Sequence, residues 1–226
     1  SDIKIGLAEL VFNEEQVKGI ALDLGLLNGA LTVREAAVSD LAGAALSLTG
    51  IAGGFDSRVG GGGNVKVTAD DPTGLAHLAG IDLGPSGSRL GPLVFNASVD
   101  GDQDRLVVDV GMMADGAELW VRGTLGALAE NLTMDVAYGV AHPNFPDLAQ
   151  ALAWRGLATG AQVLDGPVSL RGTAAGTLLN LQVGVTGALA GADVGVVGTM
   201  AWSDRVAYSL QASITHDHAA VVLAGF

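Results

Sequence analysis

Four histidines, His77, His142, His216 and His218, are the chain's only imidazoles. His216 and His218 stand two apart, so on a strand both rings share a face. With Asp204 or Asp217 as oxygen donors they would offer a transition metal part of a ligand set. Two imidazoles do not make a site, and the pair reads as solvated; no metal is expected. His77 and His142 fall beside helical pattern and read as turn or cap residues. Asp100-Gly101-Asp102-Gln103-Asp104 spaces carboxylates as a calcium loop does, but the glycine and closing glutamate of such a loop are missing, so turn solvation explains them. No Gly-x-Ser-x-Gly, HExxH or Walker sequence occurs. The Gly60 to Gly63 run lacks the Lys-Ser/Thr of a phosphate loop and reads as a flexible loop. With no cysteine there is no thiol nucleophile, disulfide or thiolate metal site. These residues predict a protein that is not an enzyme and takes no cofactor.

Composition narrows the partners. Eleven basic against 24 acidic side chains leave a net charge of −13, which argues against nucleic acid. Charged residues are only 15 % of the 226, apolar residues are 49 %, and glycine is present 34 times. Such a chain has much apolar surface to place and needs many turns. No run of eighteen apolar residues predicts a membrane-spanning helix, and Ser1-Asp2-Ile3-Lys4-Ile5 does not open a signal peptide. Strand-like pattern at both ends, Ile3 to Phe12 and Ala219 to Phe226, predicts a piece of a longer protein.

The dominant periodicity is two, in short segments broken by Gly, Asp and Asn, which predicts strands with one apolar and one polar side. Leu22 and Leu24 flank Asp23. Leu93 and Phe95 alternate with Val94 and Asn96; Leu106, Val108 and Val110 oppose Arg105, Val107 and Asp109; Leu119 and Val121 oppose Glu118, Trp120 and Arg122. Leu132, Met134 and Val136 oppose Thr133 and Asp135, and Leu179, Leu181, Val183 and Val185 oppose Asn180, Gln182 and Gly184. Short links such as Leu27-Asn28-Gly29, Asp100-Gly101-Asp102, Ala114-Asp115-Gly116 and Ala190-Gly191 suit hairpins, so the strands should run antiparallel. Pro72 to Ile81 and Asn144 to Leu157 carry helical spacing and predict two short helices, the second with Asn144 or Asp147 at its start. Lys66, Arg105, Arg122 and Arg171 belong to the polar side, and Trp120, Trp154 and Trp202 read as core, helix-packing or rim residues.

A repeat organises these segments. A block from about 64 to 125 runs strand, helix, Gly91-Pro92, two strands and Gly123-Thr124; a block from about 131 to 200 runs strand, helix, Gly166-Pro167, two strands and Gly198-Thr199. The offset is about 67 residues at the start and about 75 at the end. Residues 17–50 and 202–226 read as partial blocks, and the whole as one repeat-built domain.

Certain phrases are similar to the AsmA family of bacterial envelope proteins. They are Leu22-Asp23-Leu24 with Leu27-Asn28-Gly29-Ala30-Leu31-Thr32-Val33, and Leu41-Ala42-Gly43-Ala44-Ala45-Leu46-Ser47-Leu48-Thr49-Gly50. Ala141-His142-Pro143 with Leu148 and Leu152, Gly166-Pro167-Val168-Ser169-Leu170-Arg171-Gly172, and Leu189-Ala190-Gly191-Ala192 with Gly198-Thr199 are similar too. The resemblance implies a long curved β-sheet with an apolar trough, anchored in the inner membrane, facing the periplasm and serving outer-membrane biogenesis and phospholipid traffic. The family's membrane anchor has no counterpart in these residues. Envelope proteins and both membranes would then be partners through parts of the protein outside this sequence.

The residues lead the same way unaided. A sheet with one apolar side must cover it with helices, a second sheet, its own curvature or a ligand. The expected fold is mainly β: an elongated, curved antiparallel sheet of repeated units with two short helices, too small to cover the apolar side. Leu22, Leu24, Leu93, Phe95, Leu106, Val108, Val110, Leu119, Val121, Leu132, Met134, Val136, Leu179, Leu181, Val183 and Val185 would line a groove for phospholipid acyl chains, at about 0.8 kcal/mol per buried methylene. The competing expectation is a structural or adhesive spacer that holds partner proteins without lipid. An exposed apolar edge would also let two copies pair edge to edge.

Overall fold

The computed structural model describes residues 1–12, 15–53, 60–78, 80, 91–102, 104–126, 132–151, 165–202 and 206–216. Thirteen strands form one antiparallel sheet in which strand order is chain order, with two short helices. The chain divides into two compact units, Ser1–Asp115 and Gly116–Phe226, and the division falls inside the expected 64–125 block.

The first unit holds β1 (Asp2–Phe12), β2 (Glu15–Leu27), β3 (Ala30–Leu41), β4 (Ala44–Ala52), β5 (Gly60–Ala69), α1 (Thr73–Leu78), β6 (Leu93–Asp102) and β7 (Arg105–Ala114). The second holds β8 (Ala117–Gly126), β9 (Thr133–His142), α2 (Phe145–Ala151), β10 (Val168–Thr177), β11 (Asn180–Leu189), β12 (Ala192–Trp202) and β13 (Val206–Thr215). Both helices begin after a proline-containing turn, as the sequence predicts, and are shorter than expected at their starts. Ile81 and residues 152–157, the expected helix ends, lie outside the described residues, as do Trp154, Asp204, Asp217, His218 and the segment from Ala219 to Phe226.

Gly60 to Gly63 is a correction. The run is the first part of β5, with Gly61, Gly62 and Gly63 opposite Ala52, Ile51 and Gly50 on one side and Gly101, Asp100 and Val99 on the other. A glycine run shows no periodicity, but a strand held by ladders on both flanks needs none. Gly101, expected in a turn, lies within β6 for the same reason.

The hairpins explain the antiparallel order. Asn28 and Gly29 have φ of 50° and 76°, Ala42 and Gly43 50° and 83°, and Ala190 and Gly191 49° and 84°. Two successive positive φ angles make the two-residue turn whose twist matches that of paired strands. Alanine adopts such angles at a steric cost that asparagine largely avoids. Ala190→Asn is therefore expected to raise stability by roughly 0.5–1 kcal/mol, read as a higher urea midpoint at unchanged slope. A midpoint that stays or falls would refute this account of the turn.

Structural equivalence also revises the repeat. Ala69 and His142 end the strands before the helices, and Leu75 and Leu148 pack from the helices; both intervals are 73 residues. From Leu93 to Val168 onward the interval is 75. The 67-residue alignment matches similar strand letters six residues out of step.

Each helix caps one end of its own sheet's apolar side. In the first unit Leu75 packs on Ala44, Val67 and Ala69, with Leu93 and Phe95 alongside. In the second, Phe145 and Leu148 pack on Val168, with Ala117, Val140, Leu170 and Leu189 alongside. A bond of 2.8 Å from the Phe145 amide to the Gly166 carbonyl ties the helix start to the Gly-Pro turn. Asp147 occupies the first turn of α2, where a carboxylate is favoured.

Candidate functional site: the apolar side of the sheet

Register assigns every strand residue to a side, because directly paired residues point the same way. Starting from Val67 and Ala69 under α1, one side of the first unit runs through Leu46 and Leu48 to Val65 and Val67, then Leu93, Phe95, Ala97 and Val99, then Leu106, Val108, Val110 and Met112. On β2 it carries Ile20, Leu22, Leu24 and Leu26 opposite Val38, Ala36, Val33 and Leu31. The same walk from Val168 in the second unit gives Leu119 and Val121 beside Val140 and Tyr138, then Leu181, Val183 and Val185, then Val194, Val196 and Met200. None of the residues on either walk is charged.

Fourteen of the expected lining residues fall on these rows: Leu22, Leu24, Leu93, Phe95, Leu106, Val108 and Val110 in the first unit, and Leu119, Val121, Met134, Val136, Leu181, Val183 and Val185 in the second. Leu132 precedes β9 and is half-buried. Leu179 is a correction: it sits in the turn between β10 and β11 and is 62 % exposed. The pair Leu178-Leu179 continues the alternation of β11 in letters, but the chain reverses there.

The opposite side is polar. Lys66, Arg105, Arg122 and Arg171 all lie on it, as expected. In the first unit an ion network fastens the first three strands. Register slips beside Asp23, leaving Arg34 as an extra residue aimed at two carboxylates. Its Nε donates to Asp23 Oδ1 at 2.8 Å and its Nη2 to Asp2 Oδ1 at 2.8 Å, while Lys4 Nζ lies 3.0 Å from Asp23 Oδ2. Hydrogen bonds from Arg34 hold the carboxyls of Asp2 and Asp23 below the usual carboxylate value. Trp120 also lies on this side, against Gly139 and 5.6 Å under the Arg122 guanidinium, so it serves neither a core nor an apolar rim. Trp202 stands on the apolar row at the end of β12 and is 60 % exposed.

Two of the metal-like residues, Asp102 and His142, are engaged in local structure. Asp102 Oδ1 accepts the amides of Asp104 at 2.9 Å and Arg105 at 3.0 Å, closing the turn between β6 and β7. Among the described residues no three His, Asp or Glu side chains converge on a point. His142 is buried at the end of β9, with Nδ1 3.0 Å from the Asn144 amide. A cleft of about 780 Å³ crosses β3 to β6 at their helix-distal ends, lined by Thr32, Thr49, Asn64, Ser98 and Asp100 of the polar rows and also by Val33 and Val99 of the apolar rows.

Sequence reasoning missed the glycines of the apolar rows. A Cβ on Gly187 would land on the carbonyl oxygen of Ser169 in β10, 2.9 Å from the Leu170 Cα. One on Gly198 would land on the carbonyl of Ser209 in β13, 2.9 Å from the Leu210 Cα. Neighbouring backbone thus leans over the apolar side. On the polar side Gly6 and Gly111 have nothing within 4 Å, and Gly195 meets only the Ser213 hydroxyl. The sheet bends toward its apolar side at Gly187 and Gly198, as engineered sheets bend at glycine kinks. The signal was present, since these two share parity with Val185 and Val196.

The bent apolar side is sparsely filled. Nine apolar residues are buried, and no large side chain is fully buried among the described residues. Away from the helices, Leu48, Val99 and Val121 are 37–40 % exposed on the apolar rows.

Tyr138 reports on this environment. It stands on the apolar row between Val121 and Gly172, and burial raises its phenol above the ordinary 10.0. The neutral form is favoured in the folded state, so this contribution to stability is present below pH 10 and is lost as pH rises through the raised value. In a Tyr208→Phe variant Tyr138 is the only tyrosine. Its absorbance at 295 nm is expected to titrate above 10.0, and a midpoint at or below that would contradict the burial.

Compared with family models, with curated proteins and with solved structures, the chain matches none.

Proposed function

We propose that the protein is a non-enzymatic envelope component whose apolar sheet side binds phospholipid acyl chains and passes them between membranes. The observation that carries this reading is a charge-free apolar side in each unit, bent at Gly187 and Gly198 in the second, with few buried residues of its own. A saturated chain laid along Leu106, Val108 and Val110, or along Leu181, Val183 and Val185, meets hydrocarbon at each step. A dozen buried methylenes contribute roughly 10 kcal/mol before entropy costs. Nothing on the rows discriminates between positions along the chain, so movement is sliding, with no covalent step. The net charge of −13 repels anionic headgroups, so a lipid enters tail first while its headgroup stays in water.

The AsmA resemblance supports the same reading and adds a location: the periplasm, with tethering to the inner membrane through parts of the protein outside this sequence. It also supports partners among envelope proteins. Native mass spectrometry of the chain purified from bacterial membranes is the direct test. The expected spectrum shows phospholipid retained at stoichiometric levels. A chain that emerges lipid-free, and does not take up a fluorescent acyl probe, is a spacer.

A further inference from the structure

The polar side of the second unit holds a hollow that the acyl rows do not use. Two polar rows cross β8, β9 and β10 there, Trp120, Gly139 and Arg171 on one and Glu118, Ala141 and Ser169 on the next. The middle strand contributes only a hydrogen and a methyl, so side chains of β8 and β10 wall in about 90 Å³, with Val140 and Leu170 completing the lining. One wall is fixed. The Trp120 ring lies across Gly139, where a Cβ would stand 2.5 Å from its Nε1, and the Arg122 guanidinium is 5.6 Å from the ring centre. The other walls are open and charged. Glu118, Ser169 and Arg171 are exposed, and among the described residues neither Glu118 nor Arg171 has an ion-pair or hydrogen-bond partner. Arg122 and Arg171 are also the only Lys or Arg side chains among the described residues of this unit. The fold does not ask for this set. At the 73-residue interval Lys66 and Thr68 stand where Gly139 and Ala141 do, with Ser47 and Asn96 beside the first and Ala45 and Val94 beside the second. The same three-strand ladder therefore forms without the indole, the carboxylate or the guanidinium, and with a lysine in place of the hollow's floor.

We infer that this hollow binds the zwitterionic end of a free α-amino acid, with the carboxylate on Arg171, the ammonium on Glu118 and Ser169, and the ligand's own side chain against Trp120. Charge selects the ligand class. A simple anion would meet Glu118 and the net charge of −13, and a simple cation would meet Arg171 and Arg122; a zwitterion satisfies both open charges at once. A guanidinium takes a carboxylate through two parallel N–H bonds, while a carboxylate and a hydroxyl accept from an ammonium. Spacing agrees. Two strand spacings and two residue rises put the Cα atoms of Glu118 and Arg171 roughly 12 Å apart, so side chains reaching inward can hold charges a few ångströms from each other. Size agrees too, since about 90 Å³ is far below the roughly 300 Å³ that encloses a drug-sized molecule and takes one small polar group. The hollow opens on the side of the sheet away from the acyl rows, so this inference stands apart from lipid binding.

Titration of the nitrogen-15-labelled chain with L-leucine, followed by NMR at the Trp120 indole N–H, tests it. The chain has three tryptophans, and Trp120→Phe identifies the resonance. Contacts to exposed charges are individually weak, so saturation is expected with a Kd of about 1 mM. Leucinamide lacks the carboxylate and N-acetyl-leucine lacks the ammonium, and each is expected to bind at least about fivefold more weakly. Glu118→Gln and Arg171→Gln are expected to lose L-leucine to the same extent with an unchanged circular dichroism spectrum. Arg105→Gln, which removes a polar-row arginine of the first unit, is expected to bind as the parent does. Glycerophosphoserine carries the same aminocarboxylate on a lipid-type phosphodiester and is expected to bind more weakly than L-leucine, because the hollow has no room for both groups. An indole that does not move up to about 30 mM L-leucine, derivatives or variants that bind like their parents, or tighter binding of glycerophosphoserine overturns the inference.

Discussion

Val183→Asp is expected to lower bound phospholipid about thirtyfold. Val183 sits mid-strand on the apolar row of β11, opposite Ala174 on one side and Gly198 on the other, with Leu181 and Val185 as its neighbours along the row. A carboxylate there keeps its water, and that water displaces the two or three methylenes that would have covered the row. At about 0.8 kcal/mol each, the loss is about 2 kcal/mol, or a factor near thirty. Val108→Asp, mid-strand in β7 between Leu106 and Val110, is expected to act alike in the first unit. Gln182→Asp adds the same charge one residue away on the polar side and is expected to leave binding unchanged. Lipid counted by native mass spectrometry, with the urea midpoint measured in parallel, separates lost binding from lost folding. Equal losses for Val183→Asp and Gln182→Asp would mean that net charge, and not the apolar row, governs retention.

This prediction is legible in the sequence because parity is a local property. Leu106, Val108 and Val110 announce their side without knowledge of which strand they pair with, and the antiparallel order follows from turns as short as Ala190-Gly191. What is not legible has a physical pattern. Gly60 to Gly63 has no side chains to alternate, so its strand is imposed by β4 and β6 and cannot be read locally. Leu179 has the right parity, but only chain reversal at Leu178 and Leu179 decides that it leaves the row. The 67-residue offset follows similar letters, whereas the 73-residue interval is set by Leu75 and Leu148, which occupy equivalent helix contacts. Arg34 is the plainest case. Its reach to Asp2 and Asp23 depends on a register slip in β3 that no periodicity records.

Turn demand alone does not account for the glycine content, and the remainder has a large measurable consequence. Gly187→Ala and Gly111→Ala are the same chemical change in mid-strand, the first on an apolar row of the second unit and the second on a polar row of the first. At Gly111 the new methyl meets nothing within 4 Å, and the loss of unfolded-chain freedom is expected to raise stability by roughly 0.4–1 kcal/mol. At Gly187, φ is 152° and the methyl would occupy the space of the Ser169 carbonyl oxygen. The backbone of β10 must withdraw, breaking ladder hydrogen bonds next to Leu170, which packs beneath α2. Strained φ and displaced backbone together are expected to cost more than about 3 kcal/mol, enough to unfold a marginal domain. Urea denaturation of the two variants compares them directly. Similar midpoints would show that the glycines of the apolar rows are not what bends the sheet, and the bent surface would need another cause. A collapse confined to Gly187→Ala, with Gly111→Ala at or above the parent, ties that surface to residues with no side chain at all.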